Sequence, residues 1–212
     1  MVNFLVVLIV ISAILYHLFA IYFKNRIVKY VLKPGTMALI IILAAYNSAL
    51  DSAFGMWVVV ALIFSVIGDV FLMLEDKWFV HGLFSFLVAH LVYIAAFWVN
   101  FSFDFATTTS IVTALILLLV AIGFFLLLYP SVQQEGGAKL SFAVALYITI
   151  ISVMVWSAVL VGIGIIIVAS ILFLVSDAVL AFDKFKQRFT SAEYMVMATY
   201  FSAQLLFALS IV

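Results

Sequence analysis

Residues 140–176 read LSFAVALYITIISVMVWSAVLVGIGIIIVASILFLVS, a run without one charged side chain. A helix needs about 20 mostly apolar residues to cross a hydrocarbon core about 30 Å thick, at about 1.5 Å per residue. The run is too long for one crossing and too apolar for a loop. Two spanning helices joined by a tight turn near Val161-Gly-Ile-Gly164 fit it. Extended outward, the same reading predicts an all-α polytopic integral membrane protein, one transmembrane domain over residues 1–212. Its eight transmembrane helices fall at roughly 3–23, 34–51, 54–74, 78–100, 106–129, 139–159, 162–182 and 192–212. The other breaks carry charges or turn residues: Lys24 to Lys33, Asp51-Ser52, Glu75-Asp76-Lys77, Asn100 to Asp104, Pro130 to Lys139, and Asp183 to Arg188.

Composition agrees. Of 212 residues, 70% are hydrophobic and 8% charged, against roughly 45–50% and about 25% in soluble domains. Too little polar surface exists to cover a water-soluble globule. The runs lack a strand period, which argues against a β-barrel. Nine basic and nine acidic residues give no net charge, so nothing points to nucleic acid. With no cysteine, disulfides, zinc–thiolate sites and thiol nucleophiles are excluded. Met1-Val2-Asn3 lacks a basic n-region, and the first span is expected to be retained.

All nine Lys and Arg fall in alternate loops, after spans one, three, five and seven. Basic loops stay in the cytoplasm, which predicts both termini outside it. Short loops suggest a bacterial cell (inner) membrane.

Two carboxylates sit inside spans, Asp69 and Asp177. A charge at a helix centre costs roughly 2.5–3.5 kcal/mol on insertion scales, so each is a functional hypothesis. Each precedes an acidic residue at its helix end, Glu75 or Asp183, by six positions, which sets both about 9 Å below that end. Gly68-Asp69-Val-Phe-Leu72 parallels Ser176-Asp177-Ala-Val-Leu180, and each is followed by a span with a tyrosine, Tyr93 or Tyr200. Two four-helix repeats are suggested. Phe86, His90, Tyr93 and Phe97 share a helix face, Tyr200 and Gln204 are one turn apart, and Tyr147 lies in span six. Lys33 begins span two at the membrane boundary. One cavity opening toward the basic side could collect these groups.

Each has a plainer alternative. The aspartates could be hydrogen-bonded structural carboxyls, and His90 an interhelical donor. The tyrosines could simply pack, and Lys33 could be a snorkelling topogenic lysine rather than a phosphate ligand. His17 and His81 read as structural or interfacial. Histidine spacing signals no metal site, and no nucleophile elbow, P-loop or dinucleotide fingerprint occurs.

The motifs Lys33-Pro34, Gly68-Asp69-x-x-Leu72 and Phe79-x-x-Gly82-Leu-x-x-Phe86-x-x-Ala89-His90-x-x-Tyr93-x-x-x-Phe97 resemble the YhhN-like family of membrane proteins. So do Ser176-Asp177-x-x-Leu180-Ala181 and Thr199-Tyr200-Phe-x-x-Gln204-Leu205. The resemblance covers residues 33 to about 207; Gly35 departs from the leucine that usually follows Lys-Pro. The family includes lysoplasmalogenases. The resemblance implies hydrolysis of the vinyl ether bond of lysoplasmalogens, giving a fatty aldehyde and a glycerophospho-headgroup alcohol. It also implies that Asp69 and Asp177 are the active-site pair.

That chemistry suits paired carboxylates. Protonation at carbon gives an oxocarbenium ion that water captures, which asks for one acid and one carboxylate. Two aspartates in a low-dielectric cavity cannot both ionise cheaply, so one should keep its proton. His90 and Tyr93 are expected to orient one of them, with Lys33 at the lipid phosphate. Tyr147, Tyr200 and Gln204 complete the expected set of orienting or substrate-binding residues. No metal or organic cofactor is expected. A lysophospholipid and surrounding membrane lipid are the expected partners. The competing reading is a small lipid or solute transporter with the aspartates as a proton relay. It asks for polar residues across the whole bilayer, and the outer half offers few beyond Asn47.

Overall fold

The computed structural model describes residues 1–48, 52–74 and 76–211. Asp51, Glu75 and the last residue, 212, lie outside the described residues, and with them the Glu75 end of the depth comparison. Among the described residues there are helices and no strands. The α-helices are α1 Val2–Leu15, continued by a π-helix over Tyr16–Tyr22, α2 Arg26–Ser48, α3 Ala53–Met73, α4 Phe79–Asn100, α5 Thr108–Val161, α6 Gly164–Phe185 and α7 Ala192–Leu209.

Seven α-helices stand where the hydropathy reading expects eight, because 106–129 and 139–159 run together in α5. Its 54 residues would extend about 81 Å if straight, far beyond one bilayer core. They are not straight. Gly137 takes φ 62° and ψ −156°, which breaks the helix inside an otherwise helical stretch. Trp156 Nε1 donates to the Ser110 carbonyl at 3.1 Å, and Ser141 Oγ donates to Gln133 Oε1 at 2.8 Å. Residues 46 positions apart meet only because the chain doubles back, so α5 is a helical hairpin with a first arm, 108–136, and a second, 138–161. Pro130 and the Gln-Gln-Glu that follows stay helical, which is why the expected loop 130–139 shrinks to one residue.

The turn at 161–164 forms as expected. Gly162 adopts the left-handed conformation at φ 76°, and its N–H reaches the carbonyls of Ala158 and Val159, ending α5. Ser52 and Thr107 cap α3 and α5 by accepting from the N–H groups of Gly55 and Ser110. The start of α2 differs from expectation. Asn25 caps it through Val28 N–H at 3.2 Å, so the helix begins at Arg26 and passes through Pro34. Lys33 therefore sits two turns inside the helix instead of at its start.

Six elements, Val2–Tyr22, α2, α3, α4, α5 and α6, are long and apolar enough to cross a membrane. The outer surface is aliphatic and aromatic: Phe4, Ile27 and Leu119 are each more than 60% exposed. This is a multi-pass helical membrane protein. The loops that hold the basic residues gather at one end. There Tyr30 OH donates to the Met73 carbonyl, Lys29 pairs with Glu193 at 2.6 Å, and Lys184 pairs with Glu135 at 3.8 Å.

The tightest helix pairs are α3 with α4 and α6 with α7, and α2 packs against α3 and α7. Close approach of α3 and α4 depends on two glycines. A Cβ at Gly68 would lie 2.7 Å from the Phe86 ring, and one at Gly82 would lie 2.9 Å from Leu72. Small residues let backbones approach where no hydrophobic drive holds helices together. That contact fixes the depth and facing of Asp69.

Candidate active site

All eight residues singled out by the sequence are buried: Lys33, Asp69, His90, Tyr93, Tyr147, Asp177, Tyr200 and Gln204. They form three connected groups around one ring.

The first group holds Asp69. Lys33 Nζ lies 3.0 Å from Oδ1, and Tyr200 OH donates to Oδ2 at 2.7 Å. Helices α2, α3 and α7 each contribute one member, so the carboxylate is engaged at both oxygens. Two charges taken out of water need such compensation, because the pair's attraction must offset several kcal/mol of desolvation per ion. Lys33, expected at the lipid phosphate, is turned inward onto Asp69.

The second group holds Asp177. Tyr147 OH, from the second arm of α5, donates to Oδ2, and His90 Nε2 stands 3.5 Å from the same oxygen. Neither ring nitrogen of His90 is hydrogen-bonded among the described residues. The imidazole is held by rings instead, edge-on to Phe173 at 4.6 Å and to Tyr147 at 5.3 Å.

The third group is neutral. Tyr93 OH donates to Gln204 Oε1 at 2.8 Å, and Gln204 Nε2 donates to Ser65 Oγ at 3.0 Å. Ser65 lies one turn before Asp69 on α3. Tyr93, expected to orient an aspartate, is thus turned to Gln204. The environments of the two aspartates differ, one meeting a lysine and the other an imidazole, which the parallel motifs do not foretell.

Phe173 joins the groups. It is fully buried and edge-on to Phe86, His90, Tyr93 and Tyr200. Sequence reasoning passed over it, although it lies one turn before Asp177 on the same face. The Lys29–Glu193 pair was also missed; Tyr16 OH, from the π-helix, donates to Glu193 at 3.0 Å. Lys29 is one turn before Lys33, which was its available signal.

The aspartates differ in what they face. A cavity of about 130 Å³ lies between α3, α4, α6 and both arms of α5. Its wall is hydrocarbon from residues such as Leu83, Phe124, Ile148 and Leu174, and Asp177 and Tyr147 open onto it. A concave, largely apolar site with a few convergent polar groups is the usual form of a small-ligand pocket. Asp69 lies outside that lining. Among the described residues, no three His, Asp or Glu side chains gather as a metal site would require.

Comparison with known proteins finds relatives named lysoplasmalogenase. Lysoplasmalogenase TMEM86A of Bos taurus is 33% identical over 165 residues, covering 72% of this chain and 64% of the relative. Lysoplasmalogenase TMEM86A of Homo sapiens is 32% identical over 169 residues, with the same two shares. Lysoplasmalogenase TMEM86B of Homo sapiens is 35% identical over 150 residues, 71% of this chain and 61% of the relative. The matches thus span less than two thirds of each relative's own length. No solved structure matches. Residues 28–211 match the YhhN family, from the helix that carries Lys33 through the one that carries Tyr200 and Gln204, and the chain belongs to that family.

Proposed function

We propose that the protein hydrolyses the vinyl ether bond of a lysoplasmalogen, releasing a fatty aldehyde and a glycerophospho-headgroup alcohol. The observation that carries this reading is one carboxyl, Asp177, opening with Tyr147 onto an apolar cavity inside a membrane bundle. The relatives named lysoplasmalogenase supply the reaction class.

In this reading Asp177 is the acid. Its proton passes to the second carbon of the alkenyl chain, leaving an oxocarbenium ion at the first. Water adds to that carbon, and its proton returns to the Asp177 carboxylate. The resulting hemiacetal collapses to the aldehyde and the glycerol hydroxyl. Tyr147 fixes the carboxyl through its hydroxyl, and His90 stands beside the same oxygen, placed to orient the water. Asp69 is a fixed anion beside Lys33 that positions α2, α3 and α7 around the site. The two aspartates then act as a reacting acid and a structural partner, rather than as two equal members of one dyad.

The same reading gives each arm of α5 one crossing and makes α7 a further one, for eight in all. The basic end faces the cytoplasm of a bacterial inner membrane, by the excess of Lys and Arg there. Purified protein given lysoplasmenylethanolamine should release long-chain aldehyde and glycerophosphoethanolamine in equal amounts. Release of free fatty acid from the 1-acyl lysolipid, with no aldehyde from the vinyl ether, would contradict the proposal.

A further inference from the structure

A cavity of about 130 Å³ is small for a lysolipid. An apolar cavity of about 150 Å³ holds a benzene-sized ligand, about six carbons. A long alkenyl chain whose ether carbon meets Asp177 must therefore leave that space. The seam between α6 and the first arm of α5 offers the way out.

Beside the cavity runs a second, wider and more open groove of about 520 Å³. Phe124 from the first arm and Leu174 and Ala178 from α6 border both spaces. Leu174 and Ala178 are one turn apart, so they form a single ridge between two faces of the helix. On one side Asp177 and Ala181 line the cavity, and on the other Val175, Val179 and Phe182 line the groove. Ala178 contributes only a methyl group, which keeps the ridge low beside Asp177.

The first arm is held to the bundle near its two ends. Trp156 donates to the Ser110 carbonyl at one, and Leu128 and Val132 are buried in a small core of their own toward the other. Between them no residue from 111 to 127 is buried. Segments with few buried contacts open at the least cost, and Phe124 lies in this one.

The chemistry of the groove selects hydrocarbon. Among the described residues no charged side chain lines it, and Gln187 at the basic end is its one polar member. A phosphate would lose its water there with nothing to replace it. A fatty chain meets an aliphatic and aromatic wall on one side and the bilayer on the other, where Val175 is 36% exposed.

We propose that the hydrocarbon chain of the lipid leaves the cavity over Ala178, beneath Phe124, and lies in this groove against Val175 and Val179. This rests on the cavity being the lipid site proposed above. Two lysoplasmenylethanolamines test it, one with a hexadecenyl chain and one with a butenyl chain that the cavity holds whole. Val175→Trp fills the groove and should lower the hexadecenyl-to-butenyl ratio of kcat/KM about tenfold or more, the cost of one misfitting methylene in a pocket. Val168 is exposed on the same helix outside the groove, and Val168→Trp should leave the ratio unchanged. Equal loss on both substrates, or an unchanged ratio in Val175→Trp, would overturn the route.

A second measurement uses the wild-type protein and 1-hexadecyl lysophosphatidylethanolamine, which has no vinyl ether, carrying a photoreactive diazirine near the chain end. Cross-links to Phe124, Val175 or Val179 that excess unlabelled lipid removes support the route even if no aldehyde forms. Cross-links confined to cavity residues such as Leu83 and Ile148, or a groove left unlabelled because a second copy of the chain covers it, would contradict it.

Discussion

The Lys33 ammonium lies 3.0 Å from Asp69 Oδ1, and both side chains are sealed inside the bundle. Removing one partner of such a pair strands the other charge, at a cost of about 3–5 kcal/mol. Lys33→Met and Asp69→Asn should each lower thermal stability in detergent strongly. Lys33→Met combined with Asp69→Leu should recover much of the loss, because no charge is then left unpaired. A double variant as unstable as the sum of the singles would remove the ion pair from the account.

Tyr147 and Asp177 stand in a different relation. The phenol donates to a carboxyl that faces the cavity, and the group beside that carboxyl is the imidazole of His90. Tyr147→Phe removes one hydroxyl and keeps the ring against His90. Stability should change by about 1 kcal/mol, the net worth of an ordinary hydrogen bond, while kcat falls tenfold or more. A variant with wild-type kcat would show that Tyr147 only packs.

Gly68 and Gly82 bring α3 onto α4. Gly68→Ala would set a methyl 2.7 Å from the Phe86 ring. Overpacking of this kind costs about 1–3 kcal/mol, and the shift of α3 also moves Asp69. Loss of thermal stability together with turnover is expected; an unchanged melting temperature would mean that the helices are not held at this distance.

Gly137 carries the reversal of α5, at φ 62° and ψ −156°. That region is essentially closed to side chains and costs about 1–3 kcal/mol elsewhere. Gly137→Ala should destabilise the protein by that amount, whereas Gly123→Ala, with open space around the new methyl, should be neutral or stabilising. Equal effects would argue against a hairpin at this glycine.

Much of this was legible in the chain. Asp69 and Asp177 stand out because charge in hydrocarbon is expensive, and Gly162 marks its turn because so few breaks interrupt the run around it. Other features depend on which helices become neighbours, which one sequence does not say. Nothing local distinguishes Tyr93, which meets Gln204, from Tyr200, which meets Asp69. Lys33 reads as a boundary lysine because Pro34 follows it, and only the cap at Asn25 shifts the start of α2 eight residues earlier than expected. Phe173 looks like any other span phenylalanine until four rings surround it. The cavity belongs to no single helix, and the π-helix at Tyr16–Tyr22 has no recognisable sequence mark.

The central claim is that Asp177 supplies the proton. The most direct measurement is aldehyde release from lysoplasmenylethanolamine by the wild type and by Asp177→Asn, beside calorimetric binding of 1-alkyl lysophosphatidylethanolamine to both. Asparagine keeps the shape and can still accept from Tyr147, so binding should survive while kcat falls by about 10²–10⁴, the contribution of a general acid. Turnover by Asp177→Asn within a few-fold of the wild type would contradict the account.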